Sequence, residues 1–271
     1  MSQETDRFPE LVQWFSKNGT RVIVALSGGV DSAVVALAAK KACGDKAIAV
    51  TANYKTLSQE ELSSAFVVAK EIGIRHRLIL YDEVANSDFA KNDQLRCYHC
   101  RKELGMRLLQ EASKLDANLI VDGTHLDDIG TDRPGIRAME ESNVKSPMLE
   151  LAISKAQIRM IARKFNLSIH DKPSNSCLAS RIPQGSTVTY EKLARIEKSE
   201  TIVKQLFPLR QVRVRDHGEV ARIEVQKDEI NLLFNVEKLE KLDTLLKGLG
   251  FKYVAIDAKG YRTGSLVLTP I

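Results

Sequence analysis

The hexapeptide SGGVDS, residues 27–32, combines residue types that bind phosphate groups, and it follows directly on the apolar run RVIVAL. Two consecutive glycines let the backbone turn sharply and approach a ligand without a Cβ atom in the way. Free amides of such a loop, and of a helix that begins after it, attract an anion. Ser27 and Ser32 add hydroxyl donors, and Asp31 offers an oxygen for Mg²⁺. The segment predicts a nucleotide phosphate site, with an ordinary glycine-rich turn as the alternative.

The hexapeptide is not a Walker A loop, because the G-x-x-x-x-G-K-S/T spacing and its lysine are absent. It resembles the signature of the PP-loop ATP pyrophosphatases, which hold the β,γ-pyrophosphate of ATP while the α-phosphate is attacked. The resemblance implies that a substrate oxygen attacks the α-phosphorus, which gives an adenylate and free pyrophosphate. The enzyme would contribute positioning and charge stabilisation.

Further acidic residues occur in DGTHLDD, residues 122–128, after the fourth predicted strand. Parallel sheets bind ligands at the carboxyl ends of their strands, so Asp127 and Asp128 are candidates to support Mg²⁺ or the nucleotide. Helix N-caps are an equally common use of aspartate, and the sequence leaves both roles open. We expect ATP and Mg²⁺ to be bound by Ala25, Ser27, Gly28, Gly29, Asp31, Ser32, Gly123, Asp127 and Asp128.

The cysteines indicate metal or sulfur chemistry. Cys97 and Cys100 form a C-x-x-C directly before a helix that we expect to begin near Arg101, where an electropositive environment favours thiolates. Cys177 lies far away in the sequence, in a predicted loop. Three cysteines can hold a [4Fe-4S] cluster and leave one iron open for a ligand such as hydrosulfide. A structural zinc site with His99 as a fourth ligand is the alternative.

Four β-branched runs alternate with amphipathic stretches in the first half of the chain. The runs read as buried parallel strands at residues 21–26, 46–51, 75–80 and 117–122. Capping boxes predict two of the intervening helices, one beginning at Ser58 with Glu61 and one at Ser154 with Gln157. The pattern predicts an α/β fold with a doubly wound parallel sheet.

The alternation stops after Asn166, and a loop rich in Ser, Asn and Pro runs to about residue 187. We therefore predict a nucleotide-binding domain at 1–183 and a smaller α+β domain at 184–271. The second would contain a helix over 190–207, a hairpin that turns at His217 and Gly218, a helical stretch to Leu249 and a strand near Tyr253.

Composition limits the class of protein. A length of 271 residues fits two domains, and the net charge of +5 is spread along the chain, so it is weak evidence for nucleic-acid binding. Four cysteines would make a sparse disulfide framework, and Cys43 is expected to pack quietly at a helix end. The polar start and the lack of a long apolar stretch predict a cytoplasmic protein without a membrane segment.

Four motifs in order, SGGVDS, RCYHCRKEL, DGTHLDDIGTDRPGIRA and NSCLASRIPQG, resemble the LarE family, ATP-dependent sulfur transferases of the nickel-pincer nucleotide cofactor pathway. The resemblance implies that a carboxylate of pyridinium-3,5-biscarboxylic acid mononucleotide is adenylated and that sulfur then replaces AMP. Some members sacrifice the sulfur of one cysteine, which becomes dehydroalanine and matches Cys177. Other members carry three cysteines and are associated with a [4Fe-4S] cluster, which here would be held by Cys97, Cys100 and Cys177.

The same resemblance makes Cys177 and Asp31 catalytic and assigns a substrate-binding role to Ser180, Arg181, Glu200, Arg213, Arg215 and Glu224. Arg213 and Arg215 are two apart on a predicted strand, so they share a face that suits a phosphate. An exposed ladder that pairs them with Glu219 or Glu224 is the alternative. The family includes hexamers, so we expect a homo-oligomer that binds a small nucleotide-like substrate, and the sulfur donor stays open.

Three other functions remain in competition. A tRNA thiolase with a [4Fe-4S] cluster would share the loop and the cysteines, but the chain lacks flanking zinc-ribbon cysteines and a dense basic stripe. A synthetase or amidotransferase of the NAD or GMP synthetase type would share SGGVDS without needing the three cysteines. A non-catalytic nucleotide sensor would bind ATP without releasing pyrophosphate.

Overall fold

The computed structural model describes residues 6–128 and 134–262. Residues 129–133, which belong to the predicted motif DGTHLDDIGTDRPGIRA, lie outside this description. The chain divides into two compact units: Met1–Glu83 with Cys97–Asn175, and Val84–Arg96 with Ser176–Ile271. The domain boundary at residue 183 stays a prediction.

The first unit is built on a four-stranded sheet with the order β3-β2-β1-β4, in which every neighbouring pair is parallel. Its strands are β1 (Val22–Ala25), β2 (Ala47–Asn53), β3 (Arg75–Leu80) and β4 (Leu119–Val121). The strands β1, β3 and β4 lie within the runs that predict them, whereas β2 continues two residues beyond its predicted end at residue 51. The α/β fold class with a parallel sheet is thereby confirmed.

The helices of the described residues are α1 (Phe8–Asn18), α2 (Val30–Cys43), α3 (Gln59–Ile72), α4 (Ser87–Ala90), α5 (Arg96–Lys114), α6 (Pro134–Glu141), α7 (Pro147–Glu150), α8 (Lys155–Lys164), α9 (Tyr190–Leu206) and α10 (Val236–Lys247). None of these described helices is long and apolar enough to cross a lipid bilayer.

Helices cover both faces of the parallel sheet. Val22 and Val24 of β1 belong to a core with residues of α1, α2 and α8, whereas Ile23 belongs to a second core with Leu104 and Leu108 of α5. Successive strand residues point to opposite faces, so each β1 residue reaches the core on its own side. This two-sided burial explains why β1 is a continuous apolar run in the sequence.

The predicted capping boxes have different outcomes. At α8 the box is complete, since the Ser154 side chain accepts from the Gln157 amide and the Gln157 side chain accepts from the Ser154 amide. At α3 only Ser58 caps, by accepting from the amide of Glu61. The Glu61 carboxylate instead pairs with Lys172 at 2.8 Å, so it is engaged elsewhere.

The second unit contains a three-stranded mixed sheet, in which β5 (Val212–His217) and β6 (Val220–Val225) form an antiparallel hairpin and β7 (Tyr253–Ile256) pairs parallel to β6. The hairpin turns at Gly218, whose φ of 75° is in the left-handed region that favours glycine. Residues of α9 and α10 pack on the sheet, with Phe207, Val214 and Leu246 in the shared core. This agrees with the predicted small α+β unit.

Candidate active site

The SGGVDS loop connects β1 to α2 and is shaped by Gly28. The strand ends at Ala25, and α2 begins at Val30 with Gly29 as its N-cap. Gly28 has a φ of +81°, and a Cβ atom added there would lie 2.3 Å from the carbonyl oxygen of Glu61. Both the conformation and the close approach of α3 therefore require glycine at this position.

The hydroxyl groups of Ser27 and Ser32 form hydrogen bonds within the loop. Ser32 Oγ accepts from the Ser27 amide at 3.1 Å and donates to the Gly29 carbonyl at 3.1 Å. The two serine hydroxyls also lie 3.2 Å apart. These contacts hold the backbone in a turn at the start of a 14-residue helix, which is the arrangement that presents amides to an anion.

Gly123 brings the chain that leaves β4 against this helix start. A Cβ atom at Gly123 would lie 2.7 Å from the amide nitrogen of Ser32 and 3.1 Å from the carbonyl carbon of Asp31. A side chain here would displace the backbone that carries the predicted phosphate ligands. The carboxyl ends of β1 and β4 therefore meet at the loop.

Two lysines that the sequence analysis did not single out lie at the loop. Lys155 Nζ is 2.5 Å from Asp31 Oδ1. Lys172 Nζ donates to the Gly28 carbonyl at 3.2 Å and to Ser64 Oγ at 2.7 Å. The capping box at Ser154 already identifies Lys155 as the first residue of a helix, and this is the signal that could have drawn attention to it. Lys172 is in an irregular segment, and no sequence pattern points to it.

The acidic residues that follow β4 surround His125. Its Nε2 atom lies 3.7 Å from Asp31 Oδ1 and 3.5 Å from Asp128 Oδ2, and the side chain is buried. Asp128 accepts from the His125 amide at 3.1 Å, and Asp127 accepts from the Lys155 amide at 2.5 Å. Both aspartates thus bind backbone amides, the second of them at the N-terminus of α8. Their role with Mg²⁺ or ATP stays a prediction.

The C-x-x-C is part of α5, so the predicted helix start near Arg101 is wrong by five residues. The helix begins at Arg96, after Asp93 accepts from the Leu95 amide at 2.8 Å in a turn that starts it. Cys97 and Cys100 are therefore one helical turn apart, with Cβ atoms roughly 5–6 Å from each other. Cys97 is exposed and Cys100 is half-buried.

The cysteine pair suits two ligands of one metal group. In the described parts of the chain, however, no group of three or more His, Cys, Asp or Glu side chains is arranged to hold a metal ion. The [4Fe-4S] cluster accordingly remains a proposal. Cys43 lies at the end of α2, and its sulfur is 3.7 Å from the Gly19 carbonyl oxygen. Burial raises the pKa of its thiol, which fits the packing role predicted for it.

In the second unit, a buried arginine holds the turn that carries Cys177. Arg181 is fully buried, and its guanidinium donates to the carbonyl oxygens of Ser176 at 2.5 Å and Cys177 at 3.0 Å. Two further donors meet both carboxylate oxygens of Glu200, at 2.8 and 3.0 Å. The backbone on both sides of the Cys177 side chain is thereby fixed.

The other predicted substrate residues join the same network. Arg215 donates to the Ser180 carbonyl at 2.8 Å and pairs with Glu224 at 2.6 Å, and both charges are buried. Arg213 is also buried, and its pKa is lowered to about 10 by burial and by the positive charge of Arg181. The alternative considered for this hairpin names the right partner, since Arg215 pairs with Glu224. It is wrong about exposure, because both side chains are buried. Substrate binding by these residues stays a prediction.

Comparison with known proteins gives several matches that bear on the family of this chain. A family model described as NAD synthase matches residues 7–105, which include the phosphate loop. Pyridinium-3,5-bisthiocarboxylic acid mononucleotide synthase of Lactiplantibacillus plantarum is 32% identical over 92% of this chain and 90% of its own length. An uncharacterized protein of Synechocystis sp. is 40% identical over 91% of each chain. The tRNA-specific 2-thiouridylase of Dinoroseobacter shibae is 27% identical over 61% of this chain and 53% of its own length.

The match to the Lactiplantibacillus synthase covers 92% of this chain and therefore extends through both units. The family predicted from the four motifs is confirmed. The chain therefore belongs to the LarE family and is an ATP-using sulfurtransferase with a PP-loop.

Proposed function

We propose that this sulfurtransferase adenylates a carboxylate of pyridinium-3,5-biscarboxylic acid mononucleotide, releases pyrophosphate and replaces AMP with sulfur in nickel-pincer cofactor synthesis. The observation that carries the proposal is the Gly28 turn, which presents loop amides at the N-terminus of α2. The name of the Lactiplantibacillus relative, a bisthiocarboxylic acid mononucleotide synthase, supports the choice of substrate.

In the first step the loop amides would hold the β- and γ-phosphates of ATP, and Asp31 would supply an oxygen ligand for Mg²⁺. One substrate carboxylate oxygen attacks the α-phosphorus, the bond from that phosphorus to the bridging oxygen breaks, and pyrophosphate leaves with the electron pair. Lys155, beside Asp31, supplies positive charge next to the leaving group. The product is a mixed anhydride of the carboxylate and AMP.

In the second step a sulfur nucleophile attacks the activated acyl carbon. AMP leaves with the former carboxylate oxygen, and a thiocarboxylate remains. The Cys177 turn, fixed by Arg181 and Glu200, is suited to present sulfur in a defined position. The three cysteines Cys97, Cys100 and Cys177 would hold a [4Fe-4S] cluster, which when bound supplies an open iron for hydrosulfide. A sacrificial Cys177 is the alternative source.

The phosphate of the substrate would bind at the buried network of the second unit. Three arginines, Arg181, Arg213 and Arg215, share this network with two carboxylates, Glu200 and Glu224. Burial and Arg181 disfavour the charged form of Arg213 and lower its pKa to about 10. A bound phosphate would add negative charge to that of Glu200 and so favour the charged form of Arg213 further.

A tRNA thiolase is the second candidate, because a tRNA-specific 2-thiouridylase also matches this chain. That match covers 61% of the chain, whereas the mononucleotide synthase match covers 92%. The small substrate is therefore the better proposal. Binding of tRNA that falls steeply with salt would favour the thiolase instead.

A homo-oligomer is also proposed from the family, with no surface assigned to it.

The test is a reaction with ATP, Mg²⁺ and either pyridinium-3,5-biscarboxylic acid mononucleotide or bulk tRNA, on anaerobically prepared protein. We expect pyrophosphate release that depends on the mononucleotide, together with a thiocarboxylate product identified by mass spectrometry. Asp31→Asn should abolish both. Release that depends on tRNA and not on the mononucleotide would reject the proposed substrate.

A further inference from the structure

Tyr261 lies against the two arginines of β5 to which we assign the substrate phosphate. The centre of its ring is 5.5 Å from the guanidinium carbon of Arg213 and 5.9 Å from that of Arg215. The arginine side chains are buried, whereas Tyr261 is partly exposed. Tyr261 therefore presents a partly exposed aromatic group beside both buried guanidinium groups.

The backbone around Tyr261 is anchored to β6. The Tyr261 amide donates to the Val225 carbonyl of β6 at 2.7 Å, and the Asp257 amide donates to the Ile223 carbonyl at 2.8 Å. Gly260 has a φ of +69°, and a Cβ atom there would lie 2.7 Å from the Val225 oxygen. The chain therefore passes so close to β6 that Tyr261 is set over the strand pair rather than carried on a free loop.

Arg215 does not depend on the tyrosine ring for charge balance. Arg215 already has Glu224 at 2.6 Å, and both ring distances are near the limit of about 6 Å for a cation–π contact. The ring contacts with the arginines are correspondingly weak. An aromatic side chain that is held in place, partly exposed and next to a phosphate site has the properties of a stacking surface for a nucleotide.

We propose that Tyr261 stacks on the aromatic ring of a mononucleotide whose phosphate is bound by Arg213 and Arg215. A pyridinium ring carries positive charge, so the negative face of a tyrosine ring attracts it. Stacking also tolerates substituents on the ring, including carboxylates. Tyr261 thus distinguishes an aromatic mononucleotide from a sugar phosphate. This inference rests on the proposed function, which places the substrate phosphate at these arginines.

Calorimetric titration of the full chain tests the stacking role with nicotinic acid mononucleotide and with ribose 5-phosphate, which lacks the ring. The wild type should bind the nucleotide more tightly than the sugar phosphate. Tyr261→Leu should weaken nucleotide binding about tenfold and leave ribose 5-phosphate binding unchanged. Tyr261→Phe should retain wild-type affinity for both. Tyr253→Leu, which changes a 63% exposed tyrosine of the same unit, is the matched control and should change neither.

Equal nucleotide affinity in the wild type and Tyr261→Leu would overturn the stacking role. An equal loss for both ligands would overturn it too, because it would mean that the tyrosine only supports the arginines. Failure of the wild type to bind either probe would also reject the inference. Pyrophosphate release that depends on the mononucleotide substrate would then leave the proposed function standing, whereas its absence would reject that function as well.

Discussion

The Nζ atom of Lys155 lies 2.5 Å from Oδ1 of Asp31, so the first residue of α8 meets the acidic residue of the phosphate loop. The two residues are 124 positions apart in the sequence. Asp127 accepts from the Lys155 amide, which fixes the start of the helix at this edge of the sheet. A positive charge is consequently in place beside the proposed pyrophosphate site.

Replacement of Lys155 by alanine should slow pyrophosphate release about a hundredfold, because one charged group beside the leaving phosphates is lost. Lys155→Arg should retain a larger part of the rate than alanine does. Lys40→Ala, which removes a lysine whose partner Asp45 is exposed, is the control and should keep the wild-type rate. A wild-type rate in Lys155→Ala would show that this lysine only balances Asp31. Substrate-dependent pyrophosphate release gives both rates.

The loop can be tested with two glycines of similar conformation. Gly28 and Gly73 have φ values of +81° and +69°, but only Gly28 has a neighbour, the Glu61 carbonyl, within 2.3 Å of an added Cβ atom. Gly73→Ala should cost about 1 kcal/mol of unfolding free energy from backbone strain alone. Gly28→Ala should cost more and should also abolish ATP binding. Urea unfolding and ATP titration measure the two effects, and equal costs would contradict the assigned close approach.

Arg181 and Glu200 should show strong coupling in unfolding experiments. Removal of one partner of a buried ion pair costs about 3–5 kcal/mol, because the other charge is left buried without compensation. Arg181→Ala should therefore be more destabilising than the double change Arg181→Ala with Glu200→Ala. Additive losses in the double variant would mean that the two side chains act independently. Urea unfolding of the wild type, Arg181→Ala, Glu200→Ala and the double variant provides the comparison.

The cluster proposal predicts that loss of Cys97, Cys100 or Cys177 removes bound iron, whereas loss of Cys43 does not. Anaerobic reconstitution should give about four irons per chain, with acid-labile sulfide, if the cluster proposal holds. Cys97→Ala, Cys100→Ala and Cys177→Ala should each lose this iron, and Cys43→Ala, which changes the packed cysteine of α2, should retain it. Zinc in place of iron, or no metal in the wild type, would reject the cluster and leave Cys177 as a sacrificial donor.

The sequence predicts the parallel sheet well, because β1, β2 and β4 are largely buried and therefore form continuous apolar runs. The edge strand β3 is mostly exposed, and its run RHRLIL is correspondingly more polar. Residues 27–32 predict the turn between β1 and α2, because the shape of this loop depends on the conformation of neighbouring residues in the sequence. The sequence also predicts the complete capping box at Ser154, because its two hydrogen bonds join residues three positions apart.

Long-range contacts were not predictable in the same way. The pairing of Lys155 with Asp31 depends on how α8 packs against α2, and Lys172 reaches Gly28 from an irregular segment. The predicted start of α5 near Arg101 is five residues late, because the turn at Asp93 already starts the helix at Arg96. The sequence also left open whether the arginine pair of β5 is exposed, and the structure buries it.

The most direct test of the adenylation claim follows the oxygen atom that the substrate gives up. Pyridinium-3,5-biscarboxylic acid mononucleotide labelled with ¹⁸O in its carboxylates is incubated with enzyme, ATP and Mg²⁺, and the AMP is analysed by mass spectrometry. Transfer of one ¹⁸O atom to AMP for each thiocarboxylate formed is the predicted result. Thiocarboxylate formed with unlabelled AMP would contradict attack of the carboxylate on the α-phosphorus.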